Sequence, residues 1–217
     1  WSSLLAEHAY HPEVVDLVDI WQQVAAAPAV LPAVLPATDT YATAESMSES
    51  LDAETTRLLL GEVPAAFHAG VQDVLLIAYG LALTEFLGTT DAPIGIDVEG
   101  HGREEELADD VDLSRTVGWF TSKYPVSLAV NGLDWQLVAS GDPALDALMK
   151  NAKEQLRALP DGFTYGLLRY LNSAVELSGS DPTIGFNYLG RLGGGTHLSE
   201  ELWRINEVGG SVTAATA

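Results

Sequence analysis

Cysteine is absent from this 217-residue chain, which excludes disulfides, thiolate nucleophiles and thiolate metal sites. Lysine is scarce, confined to Lys123, Lys150 and Lys153, and Lys and Arg together number 10 against 31 Asp and Glu. A net charge of −21 without clustered cations argues against nucleic acid and against anionic membrane surfaces as partners. No run of eighteen apolar residues occurs, so no membrane-spanning helix is expected. Trp1 stands where an initiator Met would, and no basic-then-apolar leader precedes it. The expectation is therefore an excised piece of something longer, with no signal peptide visible. What the chain does have is apolar content, 47%, enough to bury a substantial core as one large domain or two small ones.

The spacing of Val14, Leu17, Val18, Trp21 and Val24 predicts an amphipathic helix from Pro12 to Ala27, with proline in its first turn. Pro28, Pro32 and Pro36 then recur every fourth residue, which removes donors and forbids a continuous helix, so an extended connector is predicted. Tyr41 to Leu51 alternates and is expected to form a strand. Asp52 suits the N-cap of a helix ending near Gly61. Val71 to Leu87 is apolar nearly all round and predicts a buried helix. Further helices are predicted over Pro143–Leu159 and Phe163–Leu171, the second after the turn Pro160-Asp161-Gly162. Short strands are predicted over Pro93–Val98, Tyr124–Val130 and Thr183–Tyr188. The tail beyond Gly193-Gly194-Gly195 specifies no element. Strands alternating with helices indicate an α/β fold.

The densest chemistry lies in Asp97-Val98-Glu99-Gly100-His101-Gly102-Arg103-Glu104. Glu99, His101 and Arg103 alternate with glycines that permit turn conformations and close approach of a ligand. Glu99 is one of eight acids between Asp97 and Asp112, and its plain reading is a solvated surface residue. Its position after an apolar strand favours a working role, whereas Glu104, Glu105, Glu106, Asp109 and Asp110 read as the exposed cluster. A carboxylate partly desolvated at a strand mouth can give and take a proton near neutrality. His101 reads equally as a hydrogen-bonded structural residue, and Arg103 as a partner of the neighbouring acids. His8, His11, His68 and His197 show no i, i+4 pairing, so no metal is assigned. Ser114 and Ser122 sit in no Gly-x-Ser-x-Gly elbow, and the Gly193-Gly194-Gly195 run lacks the Lys-Ser or Lys-Thr of a phosphate loop. Trp119, Phe120 and Tyr124 read as core aromatics or, with Arg115, as the lining of a channel.

Four blocks in order carry a resemblance to a known family. They are Glu99-Gly-His-Gly-Arg-Glu104; Arg115-Thr-Val-Gly-Trp-Phe-Thr121 with Tyr124-Pro-Val126; Leu159-Pro-Asp-Gly-Phe-Thr-Tyr-Gly166; and Phe186-Asn-Tyr-Leu-Gly190. Together they resemble the epimerization domains of nonribosomal peptide synthetases, members of the condensation-domain superfamily, with similarity from about Leu51 onward. In the third block the family usually shows a second glycine where Phe163 or Thr164 stands.

The resemblance implies a chloramphenicol acetyltransferase-like lobe, an α/β sheet flanked by helices. Residues 1–40 would be the end of an N-terminal lobe and its Pro-rich crossover, and residues 41–217 the C-terminal lobe. The implied reaction removes and returns the α-proton of a carrier-bound aminoacyl or peptidyl thioester, interconverting L and D configuration. The peptidyl carrier protein would be the partner, its phosphopantetheine arm bringing the substrate into a tunnel between the lobes, with no directly bound cofactor. By the resemblance Glu99 and Tyr188 are the catalytic residues, while His101, Arg103, Arg115 and Asn187 line the tunnel. The family's other catalytic group is the second His of a His-His-x-x-x-Asp-Gly motif, and this chain contains no His-His pair. The missing N-terminal lobe is therefore a further expected partner, and the chain alone is expected to be inactive. The alternative is a non-catalytic condensation-like module that docks a carrier or recruits another enzyme. An acetyltransferase acting on a free small molecule shares the fold but finds no support in these blocks.

Overall fold

A computed structural model describes residues 1–88, 92–108, 111–130 and 132–190. The expected tail beyond Gly193, along with Asp109, Asp110 and His197, lies outside the described residues. The chain opens with three helices, α1 (Ser2–His8), α2 (Pro12–Val15) and α3 (Val18–Ala25). The single helix expected over Pro12–Ala27 is thus broken in two. At Leu17 the backbone turns tightly, its N–H donating to Val14 three residues back, and this re-aims the chain so that Val14 and Trp21 both reach the core.

After the Pro28–Pro36 connector, which is non-helical as predicted, Tyr41–Thr43 makes one 3₁₀ turn. The strand expected from Tyr41 to Leu51 does not form. Every residue of that stretch is exposed, Met47 at 91%, so its alternation has no sheet to face and no ladder to join. Helices α4 (Ala53–Leu60), α5 (Glu62–Phe67) and α6 (Val71–Leu87) follow. Asp52 caps α4 as anticipated, its carboxylate accepting the Thr55 N–H at 2.8 Å. α5 ends on His68 in a left-handed conformation, φ 49°, whose carbonyl accepts from Arg157.

Three strands form one sheet among the described residues: β1 (Ile94–Gly100), β2 (Ser122–Leu128) and β3 (Gly185–Phe186), in the order β2-β1-β3. β1 runs antiparallel to β2, with Val98 opposite Tyr124 and Glu99 opposite Lys123, and parallel to β3, with Asp97 opposite Gly185. β3 is much shorter than the expected Thr183–Tyr188. Pro182 has no N–H to donate just before it, and Gly190 turns the chain at φ 69° just after it. Between β2 and β3 lie α7 (Trp135–Ser140), α8 (Pro143–Arg157) and α9 (Phe163–Gly166), the last running into a π-helical turn over Leu167–Leu171.

Strand alternation gives the sheet two faces. Ile94, Ile96 and Val98 point to a core shared with Val126, Leu128, Val74, Ile77 and Leu81 of α6, and Met149 and Ala152 of α8. Ile77, Ile96 and Leu128 are fully buried there, each side chain contributing about 1.5–3 kcal/mol. A second core joins Ala9, Val14 and Trp21 to Tyr165, Leu167, Leu168 and Leu177, and Tyr124 touches both cores. Trp21 is anchored by its indole N–H, which donates to Thr164 Oγ1 at 2.9 Å. Gly162 is needed where it stands, because a Cβ there would lie 2.2 Å from the Tyr124 ring.

Candidate functional site

Glu99 is carried near the C-terminal end of β1. The strand runs two residues beyond the expected Val98, so Glu99 lies inside the ladder and not after it. Alternation puts Gly95, Asp97 and Glu99 on the face opposite the α6/α8 core. Glu99 is half-buried, and its Oε2 accepts a 2.7 Å hydrogen bond from the Asn187 side-chain amide. Asn187 follows Phe186, which pairs with Val98, so the parallel register brings Asn187 alongside Glu99. The second oxygen, Oε1, makes no hydrogen bond among the described residues.

Lys123 is the cross-strand partner of Glu99, yet its ammonium serves other carboxylates. It reaches Asp97 Oδ2 at 2.8 Å and Asp181 Oδ2 at 3.1 Å. Burial alone would lower the Lys123 ammonium, but the two acids outweigh it and hold it above the usual lysine range. Asp97 is 7% exposed; burial pushes its carboxyl up and the Lys123 contact opposes that shift. Its Oδ1 is buried with no hydrogen-bond partner among the described residues. Sequence reasoning misses this triad. The available signal is Asp97, a charged residue flanked by Ile96 and Val98 within an apolar strand.

His101 and Arg103 occupy the loop that leaves β1, and the structure gives them local work. The His101 Nδ1 accepts the Arg103 N–H at 3.0 Å and stands 3.7 Å from Glu104 Oε1. The Arg103 guanidinium donates to the carbonyls of Leu113 at 2.6 Å and Thr116 at 3.0 Å, and lies 4.2 Å from the centre of the Phe120 ring. Arg103 thus fastens the 113–120 loop, and among the described residues it pairs with none of its acidic neighbours. Gly102, at φ 63°, allows this approach, since a Cβ there would stand 1.7 Å from the Phe120 carbonyl oxygen.

The acids after Arg103 do not form the uniformly exposed cluster that the sequence suggests. Glu104 and Glu105 are half-buried and only Glu106 is exposed among the three. Glu105 Oε1 accepts the Leu113 N–H at 2.6 Å, and burial raises the Glu104 carboxyl. Arg103 draws the loop inward and takes these side chains with it.

His101, Arg103 and residues 117–121 line a shallow depression of about 400 Å³. Trp119, expected as a core aromatic or a channel lining, is 80% exposed on its rim, and Val117 is fully exposed. Arg115 is exposed and makes no hydrogen bond among the described residues. Tyr188 is half-buried two residues beyond β3, and no hydrogen bond joins its hydroxyl to Glu99. The structure therefore joins Glu99 to Asn187, and His101 to Arg103. A cavity of about 640 Å³ between the end of α6 and α7 lies away from all of these residues.

Comparison with known proteins places this geometry. Residues 11–215 match the condensation-domain family, and the chain belongs to it. Relatives include surfactin synthase subunit 2 of Bacillus subtilis (strain 168), 37% identical over 195 residues, covering 88% of this chain and 5% of that protein. Bacitracin synthase 3 of Bacillus licheniformis is 39% identical over 149 residues, covering 68% of this chain and 2% of that protein. Among solved structures, the epimerization domain from the third module of a tyrocidine synthetase superposes with a TM-score of 0.68 at 33% identity. That match covers 89% of this chain and 43% of the other, so the chain spans under half of that structure and a small part of each synthetase. The chain is a nonribosomal peptide synthetase domain of the condensation superfamily, epimerization-like in structure, and the expected α/β sheet flanked by helices is the observed one. No single helix among the described residues is long and apolar enough to cross a membrane.

Proposed function

We propose that this chain is the C-terminal lobe of an epimerization domain acting on a carrier-bound aminoacyl or peptidyl thioester. The observation that carries the reading is the Glu99 carboxylate, held through Oε2 by Asn187 with Oε1 free. In this reading Glu99 takes the α-proton from the substrate, and the thioester carbonyl delocalises the electron pair left on the α-carbon. A proton returned to the opposite face completes the inversion, so no atoms are gained or lost. The returning group belongs to a His-His motif in an N-terminal lobe, since no His-His pair occurs in this chain. The carrier's phosphopantetheine arm presents the thioester, and Tyr188 and Arg115 border its path. The synthetases among the relatives and the likeness to an epimerization domain support this reading.

Exchange of solvent deuterium into the α-carbon of an aminoacyl carrier protein tests it. The expected result is exchange by the intact parent domain and none by the 217-residue chain alone. Robust exchange by the chain alone contradicts the two-lobe reading, and no exchange by the intact parent favours a docking module.

A further inference from the structure

Away from Glu99, three metal-ligating side chains converge at the turn between α1 and α2. The ring centres of His8 and His11 stand 4.9 Å apart, and His11 Nδ1 lies 3.6 Å from Glu13 Oε1. One ligand atom from each of His8, His11 and Glu13 lies within 4.8 Å of the other two. The backbone beneath them is pinned at several points. Ala9 is fully buried and its carbonyl accepts from the Asn172 amide at 2.7 Å. The Tyr10 hydroxyl accepts the Ser173 N–H at 3.1 Å, and the N–H groups of Val14 and Val15 close on the His11 carbonyl at 3.0 Å. Pro12 fixes the first residue of α2. The three side chains range from half-buried to exposed, so they can rotate on a fixed base.

We propose that His8, His11 and Glu13 bind one zinc ion as a clip between α1 and α2. Two imidazole nitrogens and one carboxylate oxygen are the donor set that this borderline ion accepts, with a fourth tetrahedral position left for water. Metal–ligand bonds of about 2.0–2.1 Å place tetrahedral ligand atoms about 3.3 Å apart. The His11–Glu13 pair is already close to that separation, and side-chain rotation brings in His8. The net charge of −21 raises the local concentration of cations around the chain. A helical i, i+4 search passes over this set because a turn, not a continuous helix, brings His8 and His11 together. The clip is independent of the epimerization reading.

The test is a calorimetric titration of the untagged chain with Zn²⁺, paired with the visible absorption of a Co²⁺-substituted sample. The expected result is one ion per chain and a Co²⁺ spectrum of four-coordinate intensity, both weakened at acid pH because binding releases protons. His8→Ala and His11→Ala weaken binding at least as much as the roughly 10- to 100-fold typical for loss of an outer-shell partner. Glu13→Gln, at an exposed position, weakens it without disturbing the fold, while His101→Ala leaves it unchanged. Absence of stoichiometric binding, or binding unaltered in the His8→Ala/His11→Ala double variant, overturns the proposal.

Discussion

Asn187 and Glu99, 88 residues apart in sequence, meet side chain to side chain at 2.7 Å where β1 and the segment after β3 run in parallel. The amide holds one carboxylate oxygen and so fixes the direction in which the other points. Asn187→Ala removes that hold. A hydrogen bond to a charged group is worth about 1.5–3 kcal/mol, and the exposure of Asn187 places this one at the low end. Epimerisation by the parent domain should therefore fall about tenfold, with the fold unchanged. Steady-state α-proton exchange, checked against the unfolding midpoint, measures both quantities.

The ion pair between Lys123 and Asp97 predicts a loss of stability. Lys123→Met strands a carboxylate that is 7% exposed beside a second acid, Asp181. Breaking a fully buried pair costs about 3–5 kcal/mol; with the Lys123 side chain 43% exposed, about 1–3 kcal/mol is expected. Urea unfolding measures the loss, and adding Asp97→Asn to the variant should restore part of it.

Tyr165 predicts an alkaline limb of the stability profile. Burial, aided by the charge of Asp181, pushes its hydroxyl up to about 12. An unfolded tyrosine titrates near about 10, so between these values the folded chain keeps a proton that the unfolded chain has lost. Stability from this group is full below about pH 10 and falls as pH rises toward 12, by at most about 2.7 kcal/mol. Tyr165→Phe keeps the edge contact with Trp21, whose ring centre is 5.4 Å away, and should make the limb shallower, leaving the part due to Tyr124, raised by burial, and to Lys123, raised by its two acids. Unfolding midpoints at about pH 9 and about pH 11.5 for the two proteins, on either side of the onset of titration, provide the comparison.

Elements with a buried apolar face are legible in the sequence. The bounds of α6 coincide with the predicted Val71–Leu87, and β1 and β2 lie within two residues of their expected positions. Tyr41–Leu51 misleads because alternation predicts a strand only where a neighbouring sheet exists to cover one side. The split between α2 and α3 and the π turn after α9 depend on packing against distant residues, which helical spacing does not carry. At the site, the position of Glu99 at the end of an apolar strand is readable. Its contact with Asn187 depends on the β1–β3 register, and the fastening of residues 113–120 by Arg103 depends on loop closure. The glycine expected at Phe163 or Thr164 is replaced by side chains with structural work. Phe163 packs 6.4 Å from Trp1, and Thr164 accepts from Trp21.

The central claim is that Glu99 carries a proton to and from the substrate. Glu99→Gln keeps the size of the side chain and a carbonyl oxygen that Asn187 can still donate to, but it cannot shuttle a proton at neutral pH. In the parent domain, α-deuterium exchange into an aminoacyl carrier should fall about 100- to 10,000-fold, the usual contribution of a general acid/base group. Glu106→Gln, at an exposed position of the same acidic run, should leave the rate within about twofold of wild type, because that side chain has no part in the proton transfer. Near-wild-type exchange by a well-folded Glu99→Gln domain would contradict the claim and return Glu99 to the surface.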